Sequence, residues 1–293
     1  MAETVRFLQT ADFARQVAAV TAFTEQAGIA VTVDVLPGEE HLRASRAAFG
    51  NPSEWDLLVA EDVIVAEQLH RGTLAPLGRR AHRDRFEFDD FLQAAIDIYR
   101  AADMVYAVPS MAMCHVLIYR RDLLHRFVFP VPATWEELRQ TARAAQEALR
   151  GAGADDWYGF VGAGSGAFAD SYRVLGSTLF PSWGWHWRQG TGQPPRVFEP
   201  GTVEALSFYA TLLQETGPPN AASLTSVDAR RLFDEGKAVF LLDTATALAT
   251  MRRDNPDSSG HRAAIALVPS GPTGRPEPGL LAPAFCIPAT SSA

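Results

Sequence analysis

The stretch that decides the fold lies at residues 234–245 and reads DEGKAVFLLDTA. A helical pattern that begins near Ser226 stops at Gly236, and glycine is the usual residue just beyond a helix end. Five apolar residues, 238–242, follow and end at Asp243, as expected of a strand that is buried on both faces. A helix that leads into a buried strand with a polar end indicates an α/β fold.

Helical and strand patterns also alternate toward the amino terminus. Residues 31–35 alternate valine with polar side chains, which is typical of a half-buried strand. Residues 57–60 read as a fully buried strand, and a helical pattern around 63–70 follows. This order predicts parallel strands joined by crossover helices. Further on, Thr134 and Glu137 have the spacing of a capping box that begins a helix.

Composition and charge narrow the classes of function. The chain has 293 residues, which suggests about two domains, and a net charge of -8. An acidic chain lacks the basic footprint of a nucleic-acid binder and the polybasic patch of a membrane-surface protein. No apolar run approaches a membrane span, and the first residues lack a signal-peptide pattern. Cys114 and Cys286 match no disulfide framework or CxxC metal site, so we expect two buried thiols, with their proximity left open.

The sequence matches none of the catalytic motifs considered below. The glycine-rich residues 162–166 read GAGSG, which fits neither the dinucleotide spacing nor the GxSxG nucleophile elbow. The seven histidines are scattered, and none has the HExxH spacing of a zinc hydrolase. We therefore assign no catalytic residue, no metal ligand and no cofactor. A pair of carboxylates of the glycosidase kind stays open among the 34 acidic residues.

Five stretches of the chain resemble one protein family, in the family's own order. The family is the extracellular solute-binding proteins of ABC importers, in the sugar-binding cluster related to maltose-binding protein. The five stretches are residues 106–109 with 116–124, 132–138, 217–223, 234–245, and 269–274 with 286–288. The resemblance covers essentially the whole chain, and residues 217–223 and 242–246 look most like members that take polyols or small sugars.

The resemblance implies a two-lobe, periplasmic-binding-protein-like fold of type II with an interlobe cleft. Lobe 1 would comprise residues 1–109 with 265–293 returning to it, and lobe 2 residues 115–262, with hinge crossings near 110–114 and 263–270. The implied function is to bind a sugar or sugar alcohol in the cleft and to deliver it to a membrane permease. We expect a monomer that works in the periplasm or outside the cell, attached to the membrane.

Two departures from the family pattern shape the expectations. Members carry a secretion signal and often a lipid-anchor cysteine, which this sequence does not show. Members also continue with further helices after the last crossing, whereas this chain ends at Ala293, so we expect a C-terminally truncated form. Two alternatives to an importer component remain: a carbohydrate-active hydrolase that uses cleft carboxylates, and a remnant without binding activity.

Predicted ligand contacts lie where strands end, because open α/β sheets bind ligands at the carboxyl ends of their strands. Gln9 and Thr10 end the first strand, and Glu61 and Asp62 follow the strand at 57–60. Asp243 ends the strongest strand. For each of these residues, capping or charge stabilisation of the following helix is the structural alternative.

Three tryptophans supply the candidate aromatic platform. Trp183, Trp185 and Trp187 alternate with Gly184 and His186, so we expect the three rings on one face of an extended segment. Trp183 is the preferred stacking platform and Trp185 a second contact, with core packing as the alternative. The remaining predicted contacts, at the first crossing and in the last apolar stretch, are Ser110, Met111 and Phe285.

Overall fold

The computed structural model describes residues 4–11, 17–50, 53–78, 86–101, 103–186 and 198–291. The chain divides into two compact units. Unit 1 comprises Met1–Ala112 and Leu281–Ala293, and unit 2 comprises Met113–Leu280.

The regular elements alternate between helix and strand along most of the chain, which confirms the predicted α/β class. The strands are β1 Thr4–Thr10, β2 Ala30–Leu36, β3 Leu57–Ala60, β4 Arg100–Ala101, β5 Met104–Val105, β6 Ala107–Pro109, β7 His115–Arg120, β8 Tyr158–Val161, β9 Ala238–Thr244, β10 Ala263–Ala266 and β11 Ala284–Cys286. The helices are α1 Val17–Ala27, α2 Gly38–Ala47, α3 Asp62–Arg71, α4 Gln93–Ile98, α5 Arg121–Phe127, α6 Trp135–Gly151, α7 (α-helical at Phe168–Ser171 and Phe180–Ser182, π-helical at Tyr172–Leu179), α8 Pro200–Thr216, α9 Ser226–Asp234 and α10 Ala245–Asp254. Short 3₁₀ turns lie at Phe88–Asp90, Ala221–Ser223 and Ser259–Arg262.

The sheet of unit 1 has the spatial order β2-β1-β3-β11-β6. Strand β1 is parallel to both β2 and β3, and α1 and α2 connect these three strands in sequence. This arrangement confirms the parallel strands and crossover helices predicted for the first part of the chain. Strand β11 comes from the carboxyl-terminal part of the chain and pairs antiparallel with both β3 and β6.

The sheet of unit 2 has the spatial order β10-β7-β9-β8. Six of the seven residues of β9 are buried, as predicted for the apolar run at 238–242. Strand β8 is parallel to β9, whereas β7 is antiparallel to it. Strand β10 pairs with β7, so residues 263–266 belong to the sheet of unit 2. The expected return to the first lobe at 265 is therefore wrong, and the chain joins unit 1 only at Leu281.

Each unit has its own core. In unit 2, the apolar face of α6 packs against the sheet, and Trp135, Leu138 and Phe240 are essentially inaccessible. The predicted capping box begins this helix: Thr134 Oγ1 accepts from the Glu137 amide at 3.1 Å, and Glu137 Oε2 accepts from the Thr134 amide at 3.3 Å. The described helices include none with the length and apolar character needed to cross a bilayer.

The two cysteines differ in exposure. Cys286 is fully buried in the core of unit 1, and burial raises the pKa of its thiol to about 12. Cys114 is half-buried and lies in unit 2. Both thiols are free. The expectation of two buried thiols therefore holds for Cys286 but is wrong for Cys114.

Candidate functional site

The strand ends of unit 1 place polar residues along one edge of its sheet. Strands β1 and β3 are parallel and in register at Leu8 and Leu58, so their carboxyl ends lie at the same edge. Strand β11 is antiparallel, and its first residue, Ala284, pairs with the last residues of β3 and β6. The resulting set, which we call the unit 1 edge, consists of Gln9, Thr10, Glu61, Asp62, Ser110 and Pro283.

Several of the predicted contacts at the unit 1 edge are occupied by internal hydrogen bonds. Gln9 is fully buried, and its side-chain oxygen accepts from the Thr10 amide at 2.9 Å. Asp62 is 3% exposed, and its carboxylate accepts from the amides of Val63 at 2.9 Å and Ala282 at 3.3 Å. Asp62 thus ties the start of α3 to the returning segment, so the prediction of a ligand-facing carboxylate there needs correction.

Glu61 remains the better acidic candidate at this edge. It occupies the N-cap position of α3 and is half-buried, whereas Asp62 is buried. Ser110 joins the edge through its amide and its hydroxyl, which both donate to the Pro283 carbonyl at 2.8 Å. Met111 follows and is half-buried. The edge therefore offers one half-buried carboxylate beside backbone and hydroxyl groups.

Phe285 does not belong to the unit 1 edge. It is the middle residue of β11, and its ring packs on Phe7 with the centroids 6.0 Å apart. Side chains of a strand interior point to the faces of the sheet. The contact observed for the half-buried Phe285 ring is thus packing on Phe7, and its role as a ligand contact stays a prediction.

The strand ends of unit 2 form a second polar edge. Strand β8 ends alongside β9, with Val161 opposite Leu241, and β7 begins at His115 opposite Thr244. The glycine-rich residues 162–166, predicted as a loop, follow β8 without regular structure. We call the resulting set the unit 2 edge and define it as His115, Ser165, Arg230, Asp243 and Thr244.

Asp243 is held in a fork by Arg230, which lies on α9. Arg230 Nε donates to Asp243 Oδ2 at 2.9 Å, and Nη2 donates to Oδ1 at 3.1 Å. The Thr244 amide and hydroxyl donate to Oδ1 at 2.6 and 3.4 Å. The Asp243 side chain is 5% exposed and that of Arg230 is 32% exposed. Sequence analysis did not find Arg230, because no spacing rule links a helical arginine to a strand end 13 residues later.

His115 is the buried titratable group of the unit 2 edge. It is 3% exposed, and its Nδ1 lies 2.9 Å from the hydroxyl of Thr178. Burial lowers the pKa of His115 to about 4; the negative charge of Asp243 opposes this shift, and the positive charge of Arg173 adds to it. The imidazole is therefore neutral at physiological pH.

Ser165 and Asp170 anchor the glycine-rich loop. Ser165 Oγ donates to Asp170 Oδ2 at 2.9 Å, and the Ser226 amide donates to the same oxygen at 3.3 Å. Gly164 is required here because a Cβ would lie 2.2 Å from the Ala221 carbonyl oxygen. Among the residues that the structure describes, no group of three or more histidine, cysteine or acidic side chains could hold a metal ion.

A cavity of about 710 Å³ adjoins the loop inside unit 2 and lies between α6 and α8. Two of its polar side chains serve the scaffold. Gln146 accepts from the Gly159 amide at 2.9 Å and donates to the Glu215 carbonyl at 3.2 Å. Tyr209 donates to the Ala163 carbonyl at 2.9 Å. These bonds tie the two helices to the edge strand β8 and its following loop, so these two polar side chains have structural roles.

The tryptophans do not form the predicted extended platform. Trp183 follows the last turn of α7, and Gly184 adopts a left-handed φ of 87° that breaks any strand. Trp185 is 2% exposed and packs edge-on against Phe180 in the core, so it is not available for stacking. Trp183 is half-buried against Phe208, with ring centroids 5.4 Å apart. Trp187, the third ring of the pattern, lies outside the described residues.

These features define a two-unit α/β protein with polar strand ends, and comparison with known proteins identifies its family. The family model described as "Bacterial extracellular solute-binding protein" matches residues 9–292. The chain belongs to this family, which confirms the resemblance found in the sequence. A related protein is the mannitol-binding protein of Pseudomonas aeruginosa, 26% identical over 211 residues. The match covers 71% of this chain and 47% of the relative, so the chain spans about half the length of that curated relative.

Solved structures of similar fold cover nearly the whole chain. A solute-binding protein from Agrobacterium radiobacter K84 in complex with ribitol has a TM-score of 0.84 at 22% identity, over 99% of this chain and 72% of that protein. One from Agrobacterium vitis S4 with bound D-mannitol has a TM-score of 0.81 at 23% identity, over 99% of this chain and 70% of that protein. Maltose-bound T. maritima MalE3 has a TM-score of 0.81 at 24% identity, over 99% of this chain and 73% of that protein. At these identities the likeness establishes the fold.

Proposed function

We propose that this protein is the substrate-binding component of an ABC importer, that it binds a small sugar or sugar alcohol, and that it delivers this ligand to a membrane permease. Family membership supports a solute-binding role. The relatives described with mannitol, ribitol and maltose support the ligand class.

The observation that carries the proposal is the composition of the unit 2 edge. A guanidinium–carboxylate fork lies beside the hydroxyl of Thr244 at the carboxyl end of β9, and the loop that contains Ser165 follows the parallel strand β8. Ligands of α/β sheets bind at such strand ends. Planar charged groups and hydroxyls can exchange hydrogen bonds with the hydroxyls of a sugar, and the fork as a whole carries no net charge. A neutral, hydroxyl-rich ligand fits this edge.

The same contacts favour binding over hydrolysis. A glycosidase needs two carboxyl groups that face one bond, one of them with a raised pKa. Asp243 of the unit 2 edge is engaged by Arg230, and Asp170, next to the glycine-rich loop, is engaged by Ser165 and the Ser226 amide. Carboxylates that are held in this way are suited to orienting neighbouring groups rather than to shuttling protons.

A thermal-shift screen with mannitol, ribitol, glucose and maltose tests the proposal, with product analysis of each mixture after prolonged incubation. We expect at least one carbohydrate to raise the Tm without turnover, because a ligand at about 100 times its Kd stabilises the native state by about 2.7 kcal/mol. A folded protein that responds to no carbohydrate, or one that converts its ligand, would contradict the proposal.

Unit 1 is proposed to contribute through Glu61. We expect Glu61→Gln to weaken carbohydrate binding about tenfold, since a charged acceptor forms stronger hydrogen bonds to hydroxyls than a neutral amide does. Glu67→Gln on the same helix is the matched control, because Glu67 pairs with Arg46 and Arg71. Equal affinities of the Glu61 variant and the control, measured by calorimetry, would remove Glu61 from the site.

The proposed setting is outside the cytoplasmic membrane, and the proposed state is a monomer. The family description, extracellular, supports the location. Fractionation of cells that produce the protein from its own gene tests the location, and a purely cytosolic product would contradict it. Sedimentation with and without ligand tests the monomer, and a stable dimer would contradict it.

A further inference from the structure

The fork at the unit 2 edge has an unexpected pattern of exposure. The residue that ends the strand, Asp243, is 5% exposed in its side chain, whereas the helix-borne Arg230 is 32% exposed. The member of the pair that solvent or a ligand can reach is therefore the cation. This reverses the expectation that the strand-end carboxylate presents itself to the ligand.

Internal donors also engage both oxygens of the carboxylate. Its Oδ1 accepts from Arg230 Nη2, the Thr244 amide and the Thr244 hydroxyl, and its Oδ2 accepts from Arg230 Nε. A carboxylate offers about four acceptor sites in total. Oδ1 is therefore fully occupied and Oδ2 keeps about one site, but a ligand hydroxyl has little access to that site because the Asp243 side chain is only 5% exposed.

From this arrangement we infer that Arg230 is the residue of unit 2 that contacts the ligand and that Asp243 is its positioning residue. Arg230 donates hydrogen bonds to neighbouring hydroxyl oxygens of the sugar or sugar alcohol. Asp243 fixes the plane of the guanidinium through the two-bond fork, a geometry that lysine cannot reproduce. Because Asp243 compensates the positive charge, the site suits a neutral ligand. This inference rests on the proposed function.

The test is a double-mutant cycle on ligand affinity, measured by calorimetry with the carbohydrate that gives the largest thermal shift. We expect Arg230→Gln to weaken binding at least about tenfold, and Asp243→Asn to weaken it by a smaller factor. The double variant should bind like Arg230→Gln alone, because Asp243 acts only through Arg230. The matched control is Arg231→Gln, on the same helix, whose side chain is 67% exposed and pairs with Asp228; its affinity should equal that of the wild type.

The double variant and a further one, Arg230→Lys, keep the test decisive if a single change unfolds the protein. The double variant removes both charges together, so it leaves no uncompensated buried carboxylate and should fold. Arg230→Lys retains the charge without the fork and should bind several-fold more weakly than the wild type. Wild-type affinity in either variant would overturn the inference, as would a larger loss for Asp243→Asn than for Arg230→Gln.

The outcomes also separate this inference from the function on which it rests. If the wild-type protein binds no carbohydrate, both are overturned. If the wild type binds and the Arg230 variants bind equally well, only the assignment of Arg230 is overturned, and the carbohydrate-binding function stands.

Discussion

Two arginine–aspartate forks of unit 2 lie at opposite ends of its sheet, and the buried partner is the arginine in one and the aspartate in the other. At the end of β7, Arg120 Nε and Nη2 donate to the two carboxylate oxygens of Asp122 at 2.8 and 2.6 Å. Here the arginine side chain is 4% exposed and the aspartate 37%. At the end of β9, Asp243 is 5% exposed and Arg230 is 32% exposed. The two ends are opposite because β7 and β9 are antiparallel.

The two forks differ in which partner is accessible to solvent: the aspartate at the end of β7 and the arginine at the end of β9. Arg120 lies over the ring of Trp157 at 5.3 Å, and its Nη1 is buried without a hydrogen-bond partner. The guanidinium of Arg120 therefore packs on Trp157 inside unit 2. The fork at the unit 2 edge instead presents its guanidinium outward on a buried carboxylate. The same two residue types therefore serve different roles, and the buried partner decides which role.

The largest expected effect comes from removing the exposed partner of the buried arginine. Asp122→Asn leaves the Arg120 charge buried without compensation, so we expect the free energy of unfolding to fall by about 3 kcal/mol or more. Urea denaturation at neutral pH measures this change. Asp254→Asn is the control, since Asp254 forms a surface pair with Arg253 and such pairs contribute about 0–1 kcal/mol. Similar losses in both variants would show that the Arg120 fork is not special.

His115, beside the Arg230–Asp243 fork, gives the next largest effect. Its folded-state pKa of about 4 lies below the ordinary 6.5. Below pH 6.5 the unfolded chain binds a proton that the folded protein does not, so stability falls as the pH drops from about 6.5 to about 4. The loss should reach about 3 kcal/mol and then level off for this group.

The measurement for His115 is a series of urea titrations across that pH range. His115→Asn should remove most of the pH dependence between pH 6.5 and 4, whereas His125→Asn on the exposed part of α5 should leave it unchanged. An unchanged slope in the His115 variant would assign the acid sensitivity to other groups. The stability that Asp122 contributes is lost in a different pH range. Burial raises the pKa of Asp122, but the hydrogen bonds and charge of Arg120 outweigh this effect and lower the pKa. The contribution of Asp122 to stability therefore disappears only below about pH 4.

Removing Arg230, the exposed partner of the fork at the unit 2 edge, should cost less stability than removing Asp122. Arg230→Gln leaves Asp243 buried, but the Thr244 amide still donates to the carboxylate and solvent reaches the position vacated by the guanidinium. We expect a loss of about 2 kcal/mol. The double variant that also carries Asp243→Asn should recover to within about 1 kcal/mol of the wild type, because no buried charge remains. A double variant as unstable as the single one would mean that packing, rather than charge, holds this fork.

The comparison of the forks also marks what the sequence could predict. Strand β9 was predictable because an unbroken apolar run can be stable only when both faces are buried, and its polar end fixed Asp243 at the edge. The parallel pairing of β1 with β2 and β3 followed from alternating helix and strand patterns. The orientation of Asp243 was not predictable, because it depends on how α9 lies on β9 and on which helical side chain reaches the strand end.

Two other errors have different origins, a local turn in one case and a long-range strand pairing in the other. Alternating tryptophans predict a strand, but Gly184 adopts a left-handed φ of 87° and turns the chain, so Trp185 enters the core. The return to unit 1 was placed too early because β10 is held in unit 2 by its partner β7. The spacing of residues in the sequence indicates neither the turn at Gly184 nor the pairing of β10 with β7. Sequence analysis thus predicts which residues lie near an edge more reliably than which way they face.

The smallest predicted effect tests the packing beside the buried arginine. Gly236 has a φ of 79°, and a Cβ there would lie 3.6 Å from Arg120 Nη1 and 3.8 Å from the Cβ of Ser259, which are ordinary contact distances. Space therefore allows a methyl group, and the cost of Gly236→Ala should be the backbone cost alone, about 1 kcal/mol. Gly166→Ala is the control, because Gly166 has no atom within 4 Å of its Cβ position and no left-handed φ. Urea titrations measure the free energy of unfolding of Gly236→Ala. A loss well above about 2 kcal/mol would show that the buried fork leaves no room beside Nη1 of Arg120. A loss near zero would show that the turn can relax without disturbing Arg120.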